Sequence, residues 1–446
     1  MRRVRWGLMW LLSASIAINL IDRQALSVVA PRLLRQLSLS DTQYSYILVA
    51  FQLGMIVGQL PAGIFLDWIG TRLGFAIIFV AWSVINGLHA FALNLWDLIT
   101  LRFLLGAAEC GNYSGGIKAI VEWMPAESRG LAAGVFNGGA QIGSLLAPPV
   151  IVLITIQWGW RSGFLLPSLL GLLWLAPWLW LASRLRLGAA TPETDRSGTP
   201  LLDTPLSNRD RSRWLLRRSV ARWQEKPAGA QDSSELTPAA GLTWSLLRQR
   251  PVVGFMLYRA FTGPLTSFYW YWLPLYLLQA RGMSFLQIGS LAWVPFAAGG
   301  AGNLLGGAFS DFLLRSGFTP DRGLKPAFLI GGLLAMSSLL VPCISNNALA
   351  LATICIAIFG NQWMQPIYIG CVGEMFPASV VARVSGIGGL ADSTMTMLAM
   401  LFTGIIVERS SFAPVLLIAG SFPALALASI YLGVGPIMPL KMHSPR

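Results

Sequence analysis

Seven ionisable side chains interrupt stretches that are otherwise apolar: Asp22, Arg23, Arg102, Glu109, Lys118, Arg259 and Asp392. A charged group at the centre of a bilayer helix costs roughly 2.5–3.5 kcal/mol on insertion scales, so such a position marks a structural pairing or a functional site. Arg102 and Glu109 lie two helical turns apart and share one face, which Asn112 and Tyr113 extend. That face can join helices through polar pairs, or it can handle a negative charge and a proton. Asp22 and Arg23 are neighbours, so on a helix they diverge by about 100°, and one can face a cavity while the other pairs elsewhere. Asn137 and Gln141 are one turn apart, and Asn361, Gln362 and Trp363 are consecutive. These groups can meet hydroxyls, or make helix–helix hydrogen bonds worth about 0.6–2 kcal/mol. Lys118 and Arg259 fall near expected helix ends, where long side chains snorkel to the interface. Asp392 follows Gly386, Gly388 and Gly389 and is expected to face the bundle interior.

The elements that position these groups follow from composition. The chain has 446 residues, 55% hydrophobic and 11% charged, with a mean hydropathy of +0.62. Soluble domains carry about 25% charged residues, so a water-soluble globular enzyme is excluded, as is a disordered chain. One crossing takes roughly 20 apolar residues. Apolar runs fall near 6–30, 45–66, 73–93, 97–120, 130–154 and 162–182, then near 251–278, 287–310, 326–345, 347–370, 382–407 and 412–434. Between the two sets lies a polar stretch containing TPETDRSGTP and RDRSRWLLRR. The expected fold class is an all-α membrane protein with twelve transmembrane helices in two pseudo-symmetric six-helix bundles. Residues 1–183 form the first bundle, 184–250 a cytoplasmic linker and 251–446 the second bundle.

The formal net charge is +13. Lys and Arg crowd one set of loops (Arg2, Arg3, Arg5, Arg72, Arg129, the linker, Arg315, Arg322, Lys325, Arg383, Lys441, Arg446) and outnumber Arg32, Arg35, Arg161, Arg281 and Arg409 on the other. The positive-inside rule then places both termini in the cytoplasm of a multi-pass protein of the cell (inner) membrane, and no nucleic-acid partner is needed to explain the charge. The basic start and the apolar run after it mimic a signal peptide. The run continues to about Ala30 and contains Asp22 and Arg23, so it reads as a retained first helix. The four cysteines lie in apolar segments and there are two histidines, so no metal site, cofactor or disulfide framework is expected. No nucleophile–base constellation appears, and an enzyme is not expected.

The halves echo each other. Gly63-x-x-x-Asp67 with Arg72 beyond it returns as Gly307-x-x-x-Asp311 with Arg315, and Glu122-Trp-Met-Pro125 returns as Glu374-Met-Phe-Pro377. Similar separations across one linker indicate an internal duplication, which many transporters use. The stretch Gly63-Ile-Phe-Leu-Asp67-Trp-Ile-Gly70-Thr-Arg72 resembles the loop signature of the major facilitator superfamily. As a gating loop, its glycines let helices approach, and Asp67 and Arg72 pair near helix ends to latch one state; the alternative is an ordinary capped loop.

A narrower resemblance covers nearly the whole chain. Asp22-Arg23-Gln-Ala-Leu-Ser-Val-Val-Ala-Pro31 is similar to the first helix of the anion:cation symporter family, in its hexuronate and sugar-acid (galactonate, glucarate) branch. So are Arg102-Phe-Leu-Leu-Gly-Ala-Ala-Glu109-Cys-Gly-Asn112 and its continuation to Pro125, Phe136-Asn137-Gly-Gly-Ala-Gln141-Ile-Gly143, Ala147-Pro148-Pro149, Gly159-Trp160-Arg161 and Phe268-Tyr-Trp-Tyr-Trp272-Leu-Pro274. The resemblance implies proton-coupled symport of a small organic anion, a hexuronate or other sugar acid, by alternating access. It implies that Arg23 and Arg102 bind the carboxylate and that Asp22 and Glu109 carry protons. Asn112, Asn137, Gln141, Asn361, Gln362 and Trp363 would contact the substrate, Trp272 would stack on a sugar ring, and Asp392 would either accept hydrogen bonds from substrate hydroxyls or repel a second carboxylate. The partners are then a sugar acid, protons and the lipid bilayer, and a monomer is expected. Two departures stand out: Met55 occupies a position where relatives often carry Tyr, and Asp392 stands where some sugar-acid carriers have Asn. Exchange of organic anions or organophosphates without net proton movement is the alternative transport reading. A non-transporting receptor is a distant one, since no soluble output domain is recognisable.

Overall fold

The computed structural model describes residues 2–125, 128–189, 246–376 and 378–438. Most of the linker, Pro377 of the second Glu–Pro echo, Lys441 and Arg446 lie outside the described residues. The apolar runs, punctuated by Gly, Pro and capping residues, form twelve long helical spans among the described residues. The first half contains α1 (Arg2–Leu37), α2 (Asp41–Ile69), α3 (Thr71–Leu88), α4 (Leu95–Trp123), α5 (Arg129–Trp158) and α6 (Ser162–Ala189). The second contains α7 (Arg250–Gln279), α8 (Phe285–Arg315), α9 (Pro320–Cys343), α10 (Asn347–Met375), α11 (Ala378–Arg409) and α12 (Phe412–Val434). α8 is interrupted between Leu291 and Val294, and α9 and α12 end in tighter and looser turns respectively.

The helix starts follow from sequence. Ser40 and Gln43 form a capping box before α2, Asn94 and Asp97 one before α4, and Ser284 and Gln287 one before α8. Gly70, at φ 86°, makes the turn between α2 and α3 that a side chain would strain. Ten spans are long and apolar enough to cross a membrane, counting bent α2 as one. The other two are α4, which carries Arg102, Glu109 and Lys118, and α7, which carries Arg259 and a run of Tyr and Trp.

Packing reproduces the duplication. α1 lies on α5, α2 on α4 and α3 on α6, and in the second half α7 lies on α11, α8 on α10 and α9 on α12. Small residues permit the mirrored approach: a Cβ at Gly106 would strike the carbonyl oxygen of Phe51, and one at Gly302 that of Phe359.

The two halves meet at the helix ends far from the N-terminus. There Ser27 Oγ donates to the Trp270 carbonyl at 3.1 Å, Tyr44 OH to the Tyr271 carbonyl at 2.8 Å, and the Thr42 amide to Glu408 at 2.9 Å. Arg32 lies 4.4 Å over the Phe285 ring. At the opposite end, Gly134 and Gly138 of α5, Gly370 and Gly373 of α10, and Gly386 and Gly389 of α11 have open space beside them. Among the described residues, the contacts that join the halves therefore gather at the end far from the N-terminus, and the opposite end is the more open.

Candidate functional site

α4 brings Arg102 and Glu109 against α1 and α2. Glu109 accepts from Arg23 Nε at 3.2 Å and Nη2 at 3.1 Å, and its side chain has no exposed surface. This is a charge-assisted pair from two helices, and Arg23 also rests on Met55 Sδ at 3.9 Å. Arg102 is 1% exposed, and its Nε and Nη2 have no hydrogen-bond partner among the described residues. Arg23 and Arg102 both lie over the Phe51 ring, at 5.2 and 5.9 Å. Arg102 and Glu109 are thus both buried on α4, with Arg23 arriving from α1, whereas Tyr113, expected to extend the same face, is exposed. Asn112, by contrast, is buried: it accepts from Ser15 Oγ at 3.3 Å and leaves its Nδ2 unpartnered.

Asp22 points the other way. It is buried and accepts from Trp82 Nε1 at 3.2 Å and Asn86 Nδ2 at 2.8 Å, which ties α1 to α3. Asn86 also donates to Ser168 Oγ at 3.1 Å, extending the tie to α6. Asp22 stays within electrostatic reach of Glu109 and Arg102.

Between the halves lies a cavity of about 190 Å³, lined by Gln52 of α2, by Gly263, Thr266, Ser267, Trp270 and Tyr271 of α7, and by Asp392 and Thr396 of α11. Tyr271 is also within electrostatic reach of Arg23, Arg102 and Glu109. It connects this space to the first-half charges. The volume is below the ~300 Å³ of sites for drug-sized ligands and suits a smaller solute. No group of His, Cys, Asp and Glu among the described residues could hold a metal ion.

Other sequence candidates are placed differently. Trp272 is fully buried, edge-on to Tyr44 at 5.0 Å, with its Nε1 unpartnered; Trp270 and Tyr271 line the cavity instead. Asn137 is exposed and donates to the Ala133 carbonyl at 3.0 Å. Gln141 is exposed and faces Gly300 of α8. Asn361 is buried and donates to the Thr262 carbonyl at 3.2 Å and to Thr266 Oγ1, tying α10 to α7. Gln362 packs on Gly299. Trp363 Nε1 donates to the Ala327 carbonyl at 3.0 Å, tying α10 to α9.

Two expectations are corrected by geometry. Asp67 pairs with Lys118 Nζ at 2.5 Å rather than with Arg72, because α4 packs along α2 and brings Lys118 to it; Lys118 also caps the Leu66 carbonyl at 2.9 Å. Gly63 stands in open space beside this pair, and Gly70 and Arg72 turn the chain into α3, where the Arg72 carbonyl accepts from Trp178. Lys118 and Arg259 are therefore not simply snorkelling groups. Arg259 donates to Asp392 and to Gln365 Oε1, an arrangement the sequence did not disclose because it joins residues more than a hundred positions apart.

The sequence profile of the Major Facilitator Superfamily matches residues 12–319. The chain is 26% identical over 429 residues to the "Hexuronate transporter" of Escherichia coli (strain K12), covering 96% of this chain and 93% of that protein. It is 26% identical over 441 residues to the "Probable galactarate/D-glucarate transporter GarP" of the same strain, covering 96% and 94%. Among solved structures it is similar to a bacterial homolog of the human lysosomal transporter Spinster in an inward-facing, unoccupied conformation. The TM-score is 0.69 with 16% identity, over 97% of this chain and 95% of that one.

Proposed function

This chain belongs to the Major Facilitator Superfamily, and we propose that it carries a small organic anion, a hexuronate or another sugar acid, together with protons, by alternating access. One observation carries the reading: Arg102 is fully buried with two guanidinium nitrogens unpartnered among the described residues, beside a second arginine held by a buried glutamate. An unpaired buried charge is costly, and a cargo carboxylate accepting two parallel N–H bonds from Arg102 relieves that cost. The relatives named for hexuronate and for galactarate and glucarate carry acids of that kind.

In this account Glu109 decides what Arg23 does. While Glu109 is ionised, it occupies Arg23. Protonation releases Arg23 to share the cargo carboxylate with Arg102, so substrate and proton favour each other's binding. Asp22, within reach of Arg102, is the second proton site. The polar groups of α2, α7 and α11 around the cavity meet the cargo hydroxyls. Residues 1–183 and 251–446 then rock about the cavity, closing the open mouth and parting the sealed one. The crowded basic loops support an orientation in the cell (inner) membrane with the open mouth and both termini on the cytoplasmic side.

The test is uptake of labelled uronates, aldonates and aldarates into proteoliposomes, with and without an imposed pH gradient. Gradient-driven accumulation abolished by a protonophore supports symport. Uptake that depends on internal anion and ignores the gradient replaces symport with exchange.

A further inference from the structure

Among the described residues, the second half holds one charged pair that joins two helices inside the bundle, Arg259 of α7 with Asp392 of α11. Its surroundings are built for it. The Arg259 stem packs on Gly388, the guanidinium lies 5.6 Å over the Tyr368 ring, and Nη1 donates to Gln365 Oε1 at 2.7 Å. Nη2 donates to Asp392 Oδ2. The other oxygen, Oδ1, lies over Gly263, one turn of α7 beyond Arg259, where any Cβ would strike it. A packed stem, an aromatic face and an amide thus fix the guanidinium, and a carboxylate takes its Nη2 side.

The pair is not sealed in protein. Its side chains are 22% and 23% exposed, and Asp392 lies on the wall of the central cavity with Gln52 of the first half. Tyr271 on the same wall lies within electrostatic reach of Arg23 and Arg102, so a cargo held by those arginines can extend to this wall. A cargo with a second carboxylate there needs a cation, and Arg259 is the cation at hand. Arg259 is already occupied, and the group facing such a cargo is itself a carboxylate. Like charges brought together across a binding surface reject a partner more sharply than the loss of an attraction does.

We propose that Asp392 stands in for a second cargo carboxylate: by occupying Arg259 it makes the cavity select sugar acids with one carboxylate and reject sugar diacids. The inference rests on the sugar-acid reading above and narrows its substrate class. It also gives a physical meaning to an acid at a position where an amide of the same shape would leave Arg259 free to bind cargo.

The experiment is competition in proteoliposomes containing the full chain. Whichever of D-galacturonate, D-glucuronate and D-galactonate is taken up serves as labelled cargo, and unlabelled galactarate and D-glucarate compete against the unlabelled monoacid. For the wild type, the diacids are expected to compete at least about tenfold more weakly, which is about 1.4 kcal/mol. D392N should bring the diacids to near parity with the monoacid, read as the ratio of their competition strengths so that any change in monoacid uptake itself cancels, and adding R259Q should remove that gain. Equal competition by diacids in the wild type overturns the proposal, and this arm does not depend on any variant folding. A D392N protein that still takes up the monoacid yet gains nothing toward diacids also overturns it. A gain that survives R259Q does so too, because Arg259 would then not be the receiving group. Absence of any sugar-acid uptake by the wild type is a different result: it removes the sugar-acid reading, and this inference with it.

Discussion

Arg23 of α1 and Glu109 of α4 meet at 3.1 Å, with no exposed surface left on the glutamate, while Arg102 of the same α4 face keeps two nitrogens unpartnered. One arginine is therefore held in reserve by a group that a proton can neutralise, and the other is open to cargo. This asymmetry between two arginines over one phenylalanine ring gives the proposed coupling its physical content.

Arg102 is expected to act through its planar fork as well as its charge. Arg102→Lys keeps the charge and loses the two parallel donors. Sugar-acid binding measured by calorimetry should weaken by about tenfold or more, which is about 1.4 kcal/mol. The elution profile and unfolding midpoint should stay near wild type. Unchanged affinity would separate Arg102 from the cargo.

The Asp22 cluster is expected to show in stability. Asn86→Ala removes a 2.8 Å donor to Asp22 and the link to Ser168. Leaving a buried polar group unsatisfied costs about 1–3 kcal/mol, so the unfolding midpoint in detergent should fall. Cargo affinity should change little, since Asn86 contacts the side of α1 turned away from Arg23. A large affinity change with no loss of stability would contradict this placement.

The loop pair is expected to act on rate. Asp67 is 77% exposed on its side chain, so its bond to Lys118 contributes only about 0.2–1 kcal/mol to stability. Asp67→Lys should slow uptake at saturating substrate without shifting the midpoint, and adding Lys118→Asp should restore much of the rate. No rescue by the swapped pair would mean that Asp67 acts without Lys118.

Much of this arrangement was legible in the sequence, and the remainder fails for identifiable reasons. The twelve apolar runs and the face shared by Arg102 and Glu109 follow from composition and from the 3.6-residue period, both local properties. The partner each arginine takes is decided by contacts between helices far apart in the chain. Arg259 therefore read as a snorkelling group, and Asp67 was matched to Arg72, its near neighbour, instead of Lys118 across the α2–α4 contact. Four consecutive aromatics, Tyr269 to Trp272, hide the rotation of α7. Only packing reveals that Trp270 and Tyr271 reach the cavity while Trp272 is wedged against Tyr44. The opposite directions of Asp22 and Arg23 were foreseen from the ~100° step between neighbours.

The open mouth is expected to close. Gly138 and Gly386 stand in open space on α5 and α11, so a spin-labelled cysteine at each is tolerated. In a chain freed of its native cysteines, double electron–electron resonance should show the labels moving closer when sugar acid is added. A distance distribution indifferent to cargo would remove these helix ends from the transport cycle.

The most direct measurement of the coupling is proton movement driven by cargo. Wild-type proteoliposomes given an inward sugar-acid gradient should alkalinise the outer solution as cargo enters. Glu109→Gln should still exchange labelled for unlabelled cargo, because Arg23 is then permanently released, yet move no protons at that site, so that proton movement per cargo and gradient-driven accumulation both fall below the wild type. Proton uptake in Glu109→Gln equal to that of the wild type would contradict the account.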